Sequence, residues 1–520
     1  MRTNILWFRR DLRLSDNECV ALSAANNAQV LPCFIIDPWF YTWADVSATR
    51  VKFLFECLEN LDSNLRQRGS QLYLFEGKSV AVLQEITRQL LQQGYNPKLF
   101  FNRDVQVEYG IERDRSIIDF YRELNLDYHL GLNNFLQVGA DNRDAWFNEY
   151  YTYQRESVHP MPERINTPEF RLNLAQLSFA QLKHKYSRFW QVENEYFRGG
   201  ETAATATLDS FLQRRFHGYH WKISHPWLTQ QGATSHLSPH LAFGTISTRS
   251  AYQRTKARAV ELADPKAEFA LKTFRDRLRW RDSFSQRLYH HPEVAYQNRY
   301  PEFDEWYSHK PLTPEKHELF AAWQEGETGF PLVDASMRQL KSMGWMNFRM
   351  RAMCATFLTI NCGVSWHHGA QHYMNYLIDG DLAIDNWQWQ MQSGVTNPLS
   401  DTFRIYNPNK NLQEKDSDLK FIHYWVPELR GYSLPEILDG VYLNNGLYPA
   451  PIVNWSQTRR VNGKIVSSLR QRVKERLLAE QGSEYERAVA AKTTVDMYWE
   501  SQDKQYQKYK RQQSGFRNIS

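Results

Sequence analysis

Between Gly326 and Asn407, six residues fit for charge chemistry interrupt a stretch that is otherwise largely apolar: Arg338, Arg349, Arg351, Asp379, Asp381 and Asp385. Leu332, Met337, Leu340, Met343, Met346 and Met350 recur at roughly helical spacing, which predicts buried helix. Charges carried into such an interior must be neutralised by one another or by a bound polar ligand, because an isolated buried ion is costly. A salt-bridged helical core accounts for any one of the six. The whole set reads better as the lining of a ligand site. Upstream, Thr234, Ser235, Leu237 and Ser238 lie in the run TSHLSP, where small hydroxyls at a loop-to-helix junction offer donors to a phosphate. Alone, that run is an ordinary helix cap. Aromatics make up 14% of the chain, with 17 Trp, which favours a planar ligand, bases or electrons.

The elements that must hold these residues follow from the apolar pattern. Ile5–Phe8, Val30–Ile36, Leu72–Phe75, Lys98–Phe101 and Asp127–Leu130 are short apolar runs, and helical patterns over Arg50–Arg68, Ser79–Gln93 and Gly110–Leu124 lie between several of them. Such alternation predicts a parallel, Rossmann-like α/β sheet. No GxGxxG follows the first run, so the ordinary dinucleotide fingerprint is absent. We expect an α/β domain over 1–132, a connection over 133–200 and an all-α domain over 201–455. A basic extension over 456–520 carries fourteen Lys/Arg against seven Asp/Glu, a surplus of seven. In it Val466–Leu478 reads as helix and QDKQYQKYKRQQ as a stretch able to meet nucleic acid or to stay solvated. The five Cys form no CxxC pair, which argues against a metal or iron–sulfur site. With no apolar run long enough for a bilayer and no signal peptide, a soluble, cytoplasmic chain is expected.

Three runs carry a resemblance. EGETGFPLVDASMRQL, GWMNFRMRA and DGDLAIDNWQWQ resemble the flavin-binding core of the photolyase/cryptochrome family, in order and separation as well as in letters. With WFRRDLRLSDN at Trp7–Asn17 and TSHLSP, the resemblance covers residues 1 to about 455. It implies FAD held by Tyr219, Thr234, Ser235, Leu237, Ser238, Arg351, Asp379, Asp381 and Asp385. It also implies an antenna chromophore of folate or deazaflavin type in the α/β domain. On residue chemistry alone, Arg9, Arg10 and Arg13 read as a solvated loop. Trp389, Trp366 and Trp306 match the family's electron relay, and Asp385 matches the position facing flavin N5, where it can hand over a proton. A two-residue gap would put Trp387 in place of Trp389.

The substrate side departs from the family pattern. Arg277, Trp280, Arg281, Arg349, Met391 and Arg404 are the expected DNA-facing residues. Yet Arg277 stands where repair enzymes carry Glu, Met391 where they carry an aromatic, Phe348 for an amide, Ala352 for a Met and Asp385 for an Asn. The departures point to a cryptochrome-type blue-light photoreceptor with a partner the sequence does not name. The alternative is a deoxyribodipyrimidine photolyase, for which DNA is the partner. A monomer is expected in either case.

Overall fold

The computed structural model describes residues 2–489 and 492, apart from 42–45, 105–107, 140–142, 168, 192–195 and 401–402. The part of the tail that holds QDKQYQKYKRQQ lies outside the described residues.

The five apolar runs form one parallel sheet: β1 (Arg2–Phe8), β2 (Gln29–Ile36), β3 (Tyr73–Glu76), β4 (Asn96–Asn102) and β5 (Tyr128–Gly131), in the order β3-β2-β1-β4-β5. Ile5, Leu6, Trp7 and Phe8 of β1 are all buried, so successive side chains meet cover on both faces. This is why the strands read as unbroken apolar runs rather than as alternation. The helices Ala48–Arg66, Ser79–Gln92 and Glu108–Glu123 follow strands β2, β3 and β4. The connection over 133–200 holds two helices, Arg143–Tyr153 and Phe179–Lys185, and bridges the sheet edge at Gln29–Asn166 and Phe75–Gln176.

From Glu201 on, the described chain is helical, around a core that includes Trp323, Val333, Met337, Leu340, Met350, Trp366 and Trp389. The helix Pro265–His290 begins where Asp264 accepts from the backbone N–H of Lys266 and Ala267. The helix Pro331–Met343 ends at Gly344, whose φ of 64° is left-handed. A Cβ there would also stand 2.6 Å from Thr49 Oγ1 and 3.0 Å from the Tyr376 carbonyl. That position therefore needs glycine twice over.

Two expectations change. The helix Trp455–Glu480 runs far past the expected Val466–Leu478, and its buried Val466, Leu469, Val473 and Leu477 belong to the same core. Their i, i+3, i+7, i+11 spacing is a helical stripe that the many surrounding charges obscure. The loop after β1 is also not solvated. Buried Arg13 donates to Asn133 Oδ1 (2.6 Å) and to the carbonyls of Gly244 and Asp16 (both 2.8 Å), tying the sheet to the helical body. Among the described residues no helix is long and apolar enough to cross a membrane, and no His/Cys/Asp/Glu group could hold a metal.

Candidate functional site

Of the six charges in the apolar stretch, one is purely structural. Arg338 donates to both carboxylate oxygens of Glu428 (2.9 and 3.0 Å) and to the Gly326 carbonyl (3.1 Å). The GETGFPLVD run is likewise a staple at a helix entry. The backbone N–H groups of Thr328 and Gly329, the Thr328 hydroxyl and the Tyr448 hydroxyl all donate to Asp334. Burial raises the Asp334 carboxyl to about 6 against those donors.

Arg351, Asp379, Asp381 and Asp385 do come together. The helix Phe348–Thr356 starts at Asn347, whose side chain accepts from the Met350 N–H, and presents Arg351 one turn in. Arg351 Nη2 donates to both oxygens of Asp379 (2.9 and 2.8 Å) while its Nε donates to the Met346 carbonyl. The Asp379 side chain is 3% exposed and that of Arg351 is 21% exposed, so the pair is anchored inside and faces an opening. Asp381 caps the helix Leu382–Gln392, accepting from the Ile384 N–H. Asp385, one turn in, accepts at Oδ2 from the Asp381 N–H (2.8 Å). Burial pushes its carboxyl up to about 7, with Arg351 pulling the other way and Asp379 and Asp381 adding to the rise. Burial therefore shifts Asp385 towards its protonated form.

The far end of the helix Ser238–Ala242, which follows from the TSHLSP run, is linked to this cluster through arginines. Arg281 Nη2 donates to the Leu241 carbonyl (2.9 Å) and stands 3.9 Å from Asp381. Arg10 donates to the Ala242 carbonyl (2.9 Å) and stands 3.7 Å from Asp381. Thr234 Oγ1 accepts from the His236 N–H and Ser235 Oγ from the Leu237 N–H, so both hydroxyl protons stay available. Leu237 is buried in the adjoining apolar cluster with Tyr219, whose hydroxyl burial raises to about 12, and Ser238 opens the helix Ser238–Ala242. His236 turns away from the cluster. Its Nε2 meets the Thr229 carbonyl (2.9 Å) among the rings of Tyr196, Phe197 and Trp345, and burial lowers it to about 4, which keeps it neutral.

These residues fit FAD: hydroxyls able to donate to a phosphate, a carboxylate-anchored guanidinium, and an Asp385 proton able to serve a ring nitrogen. Sequence reasoning missed two supports. Arg215 Nη2 donates to the carbonyls of Thr207 and Ser235 (2.7 and 3.2 Å), and Arg50 Nη2 to those of Met374 and Leu377 (2.7 and 2.8 Å). Arg50 comes from the sheet domain and lies against Gly380, where a Cβ would stand 2.1 Å from its Nη2. A partner more than 320 residues away leaves no local sequence signal.

The expected relay residues share one core. Trp389 packs edge-on to Tyr373 (4.8 Å) and lies against Gly369, where a Cβ would be 2.2 Å from its ring. Trp366, three residues before Gly369, donates from Nε1 to Asn298 Oδ1 (2.8 Å), and half-buried Trp306 packs on the same cluster. Trp387 points to the other side of its helix, towards Phe284, Val294 and Trp280. The ungapped register therefore places Trp389, not Trp387, beside the helix of Trp366.

The rim expectation fails for Arg281, which is buried and committed to Asp282 and Leu241. Arg277, one turn earlier and half-buried, is instead the cation left at the expected DNA-facing rim. Its guanidinium lies between the rings of Trp280 (5.1 Å) and Phe348 (5.0 Å). Arg349 continues the stack between Phe348 (5.2 Å) and Tyr406 (5.3 Å), donating to the Tyr406 hydroxyl at 2.8 Å. Arg404 follows at 5.8 Å from the Tyr406 ring, and Met391 is half-buried. Neither Arg277 nor Arg349 has a carboxylate partner among the described residues.

Comparison with known proteins agrees with this geometry. Residues 4–136 match the family model described as DNA photolyase, and residues 274–468 the one described as the FAD binding domain of DNA photolyase. The deoxyribodipyrimidine photo-lyase of a Synechococcus species is 32% identical over 86% of this chain and 93% of its own. A class III photolyase from Agrobacterium tumefaciens superposes with a TM-score of 0.75 at 25% identity, over 91% of this chain and 98% of that one. A Synechocystis cryptochrome shares the fold, with a TM-score of 0.78 at 24% identity, over 89% of this chain and 99% of that one. Sheet, helical body and buried Arg–Asp cluster thus converge with the sequence matches, and the chain belongs to the photolyase/cryptochrome family of FAD flavoproteins.

Proposed function

We propose that this protein is a light-driven DNA photolyase that splits pyrimidine dimers, the alternative at the sequence level, rather than a dedicated photoreceptor. One observation carries the reading: the rim and the cofactor residues share two helices. Arg277 stands one turn and Trp280 one residue before Arg281 on the helix Pro265–His290, and Arg349 stands two residues before Arg351 on the helix Phe348–Thr356. A base docked on the rim is thereby delivered to the cofactor cluster. A signalling protein has no need of that coupling, and the photolyase relatives support it.

Bound FAD supplies light absorption and one-electron chemistry. The chain's own residues do the rest. Arg351, anchored by Asp379, holds positive charge beside the ring. Asp385 holds a proton at Oδ1, since its Oδ2 is engaged by the Asp381 N–H. Trp280 is the aromatic partner for an extruded base, and the Arg277 edge donates to base carbonyls or to phosphate. Trp389, Trp366 and Trp306 can carry an oxidising equivalent outward, because indole is readily oxidised and re-reduced.

Trp280→Ala tests the rim. Loss of one stacking partner costs about 1–3 kcal/mol, so affinity for a dimer-containing oligonucleotide should fall roughly five- to 150-fold. Flavin content should stay unchanged. Equal lesion affinity in Trp280→Ala and wild type contradicts the reading. Trp389→Phe tests the relay. Blue-light bleaching of oxidised flavin with an external reductant should slow strongly, because Phe is much harder to oxidise, and an unchanged rate rules Trp389 out. A photoreceptor reading is favoured by the departures at Arg277, Phe348, Ala352, Asp385 and Met391, and it predicts bleaching without any dimer splitting.

A further inference from the structure

The helix Trp455–Glu480 does more than close the core. Flanking its apolar stripe, Ser456, Arg459, Arg460, Gly463, Lys464 and Ser467 follow i, i+3, i+4, i+7, i+8, i+11 spacing, so they share one side of the helix, exposed except at the buried Gly463. With Phe403 and Ile405 as the facing wall, they line a groove of about 680 Å³. Gly463 lets that wall close in, since a Cβ there would stand 3.1 Å from Ile405 Cδ1. Among the described residues no acidic residue lines the groove, and none lies on the helix from Trp455 to Gln471. Arg459 is steadied over the Trp455 ring at 5.5 Å.

The groove joins the rim. Trp455 Nε1 donates to the Tyr406 carbonyl (3.2 Å), and the Tyr406 hydroxyl accepts from Arg349. Phe403 and Ile405 alternate along the chain with Arg404 and Tyr406. One short segment therefore forms the groove wall with its odd residues and ends the rim stack with its even ones.

We propose that this groove is a second contact surface for the DNA strand whose base enters the rim, taking its flanking phosphodiester groups on Arg459, Arg460 and Lys464. The proposal rests on the DNA reading of the rim. Three cations with small polar neighbours, on an open surface with no acidic lining among the described residues, suit a repeating anion. They do not suit the chain's own terminal stretch, which is itself basic: residues 493–520 hold Lys504, Lys508, Lys510, Arg511 and Arg517 against Asp496, Glu500 and Asp503. The contact is charge-based and blind to sequence, so it adds affinity without selecting the lesion.

The test uses the full FAD-bound protein and undamaged single-stranded 20-mer oligonucleotides. In Arg459→Ala, Arg460→Ala, Lys464→Ala, the slope of log affinity against log salt should become shallower by about 2, at roughly 0.7 for each phosphate left without its cation. Affinity at low salt should fall at least about tenfold. A control carrying Lys256→Ala, Lys266→Ala, Lys310→Ala removes the same charge from other exposed positions and should leave the slope near that of wild type. Arg460→Glu alone should weaken binding further than Arg460→Ala. An unchanged slope in the groove variant, an equal loss in the control, or displacement of the oligonucleotide by poly-glutamate at lower charge concentration overturns the proposal. Because the probe carries no lesion, failed repair sinks the photolyase reading and leaves this result standing. Conversely, normal repair of a dimer-containing trinucleotide with an unchanged salt slope sinks only the groove.

Discussion

Asp379→Ala should purify with little or no flavin and be less stable than wild type by about 3 kcal/mol. Asp379 is the buried half of a bidentate pair, and without it the Arg351 guanidinium keeps the Met346 carbonyl as its hydrogen-bond acceptor among the described residues, with Asp385 as the nearby charge. Removing one member of a buried pair typically costs about 3–5 kcal/mol. The lower end applies because the Arg351 side chain is 21% exposed and can recover some hydration. Flavin loss follows from geometry, since a released guanidinium swings into the opening it now borders. Asp379→Asn should lie between the two proteins, as an amide oxygen still accepts one hydrogen bond. Absorption spectra after FAD loading and denaturant titration measure both effects. Wild-type flavin content together with wild-type stability in Asp379→Ala would remove Arg351 and Asp379 from the cofactor site.

Asp385→Asn should abolish a pH dependence. In the folded protein burial raises the Asp385 carboxyl to about 7, whereas an ordinary Asp carboxyl titrates near 3.8. Between those values the folded state keeps a proton that the unfolded state has released. Stability from this group is therefore complete below pH 4, declines as pH rises through 7, and is flat above. The size is on the order of 4 kcal/mol across the window, at about 1.4 kcal/mol per pH unit. Asp416 is also raised to about 7 by burial and titrates with the same sign, so the informative quantity is the difference between variant and wild type. Relative to wild type, Asp385→Asn should gain stability from pH 5 to pH 8. The rate of flavin bleaching should lose its pH dependence over the same range, because no proton remains to be supplied at Oδ1. Parallel stability curves and parallel bleaching profiles would show that Asp385 does not titrate there.

Much of the architecture was legible because it rests on local pattern. The five strands fall within two or three residues of the apolar runs, since a sheet covered on both faces leaves unbroken hydrophobic segments. The Arg351–Asp379 pair was legible through resemblance, and chemistry alone required only that buried charges find partners. What stayed hidden depends on distant partners. Arg338 looks like a site residue until Glu428, ninety positions on, claims it. Arg281 and Arg277 lie one turn apart on the same helix, and sequence could not tell which turns inward to Leu241 and which remains between two rings. Arg10 and Arg13 read as solvated because their acceptors, such as the carbonyls of Ala242 and Gly244, belong to the other domain. The basic run from Arg459 hid the start of a core helix, because its charges occupy one face and its apolar residues another.

The proposed function stands most directly on whether light splits a lesion at this rim. Prereduced, FAD-loaded protein is mixed with an oligonucleotide containing one cyclobutane pyrimidine dimer, and intact pyrimidines are counted after blue light and after an equal time in the dark. A photolyase gives repair in the light, none in the dark, and a strongly reduced yield in Trp280→Ala. Lesion binding with no repair in the light, at a flavin occupancy equal to that of a photolyase control, contradicts it and leaves a photoreceptor with a nucleic-acid rim.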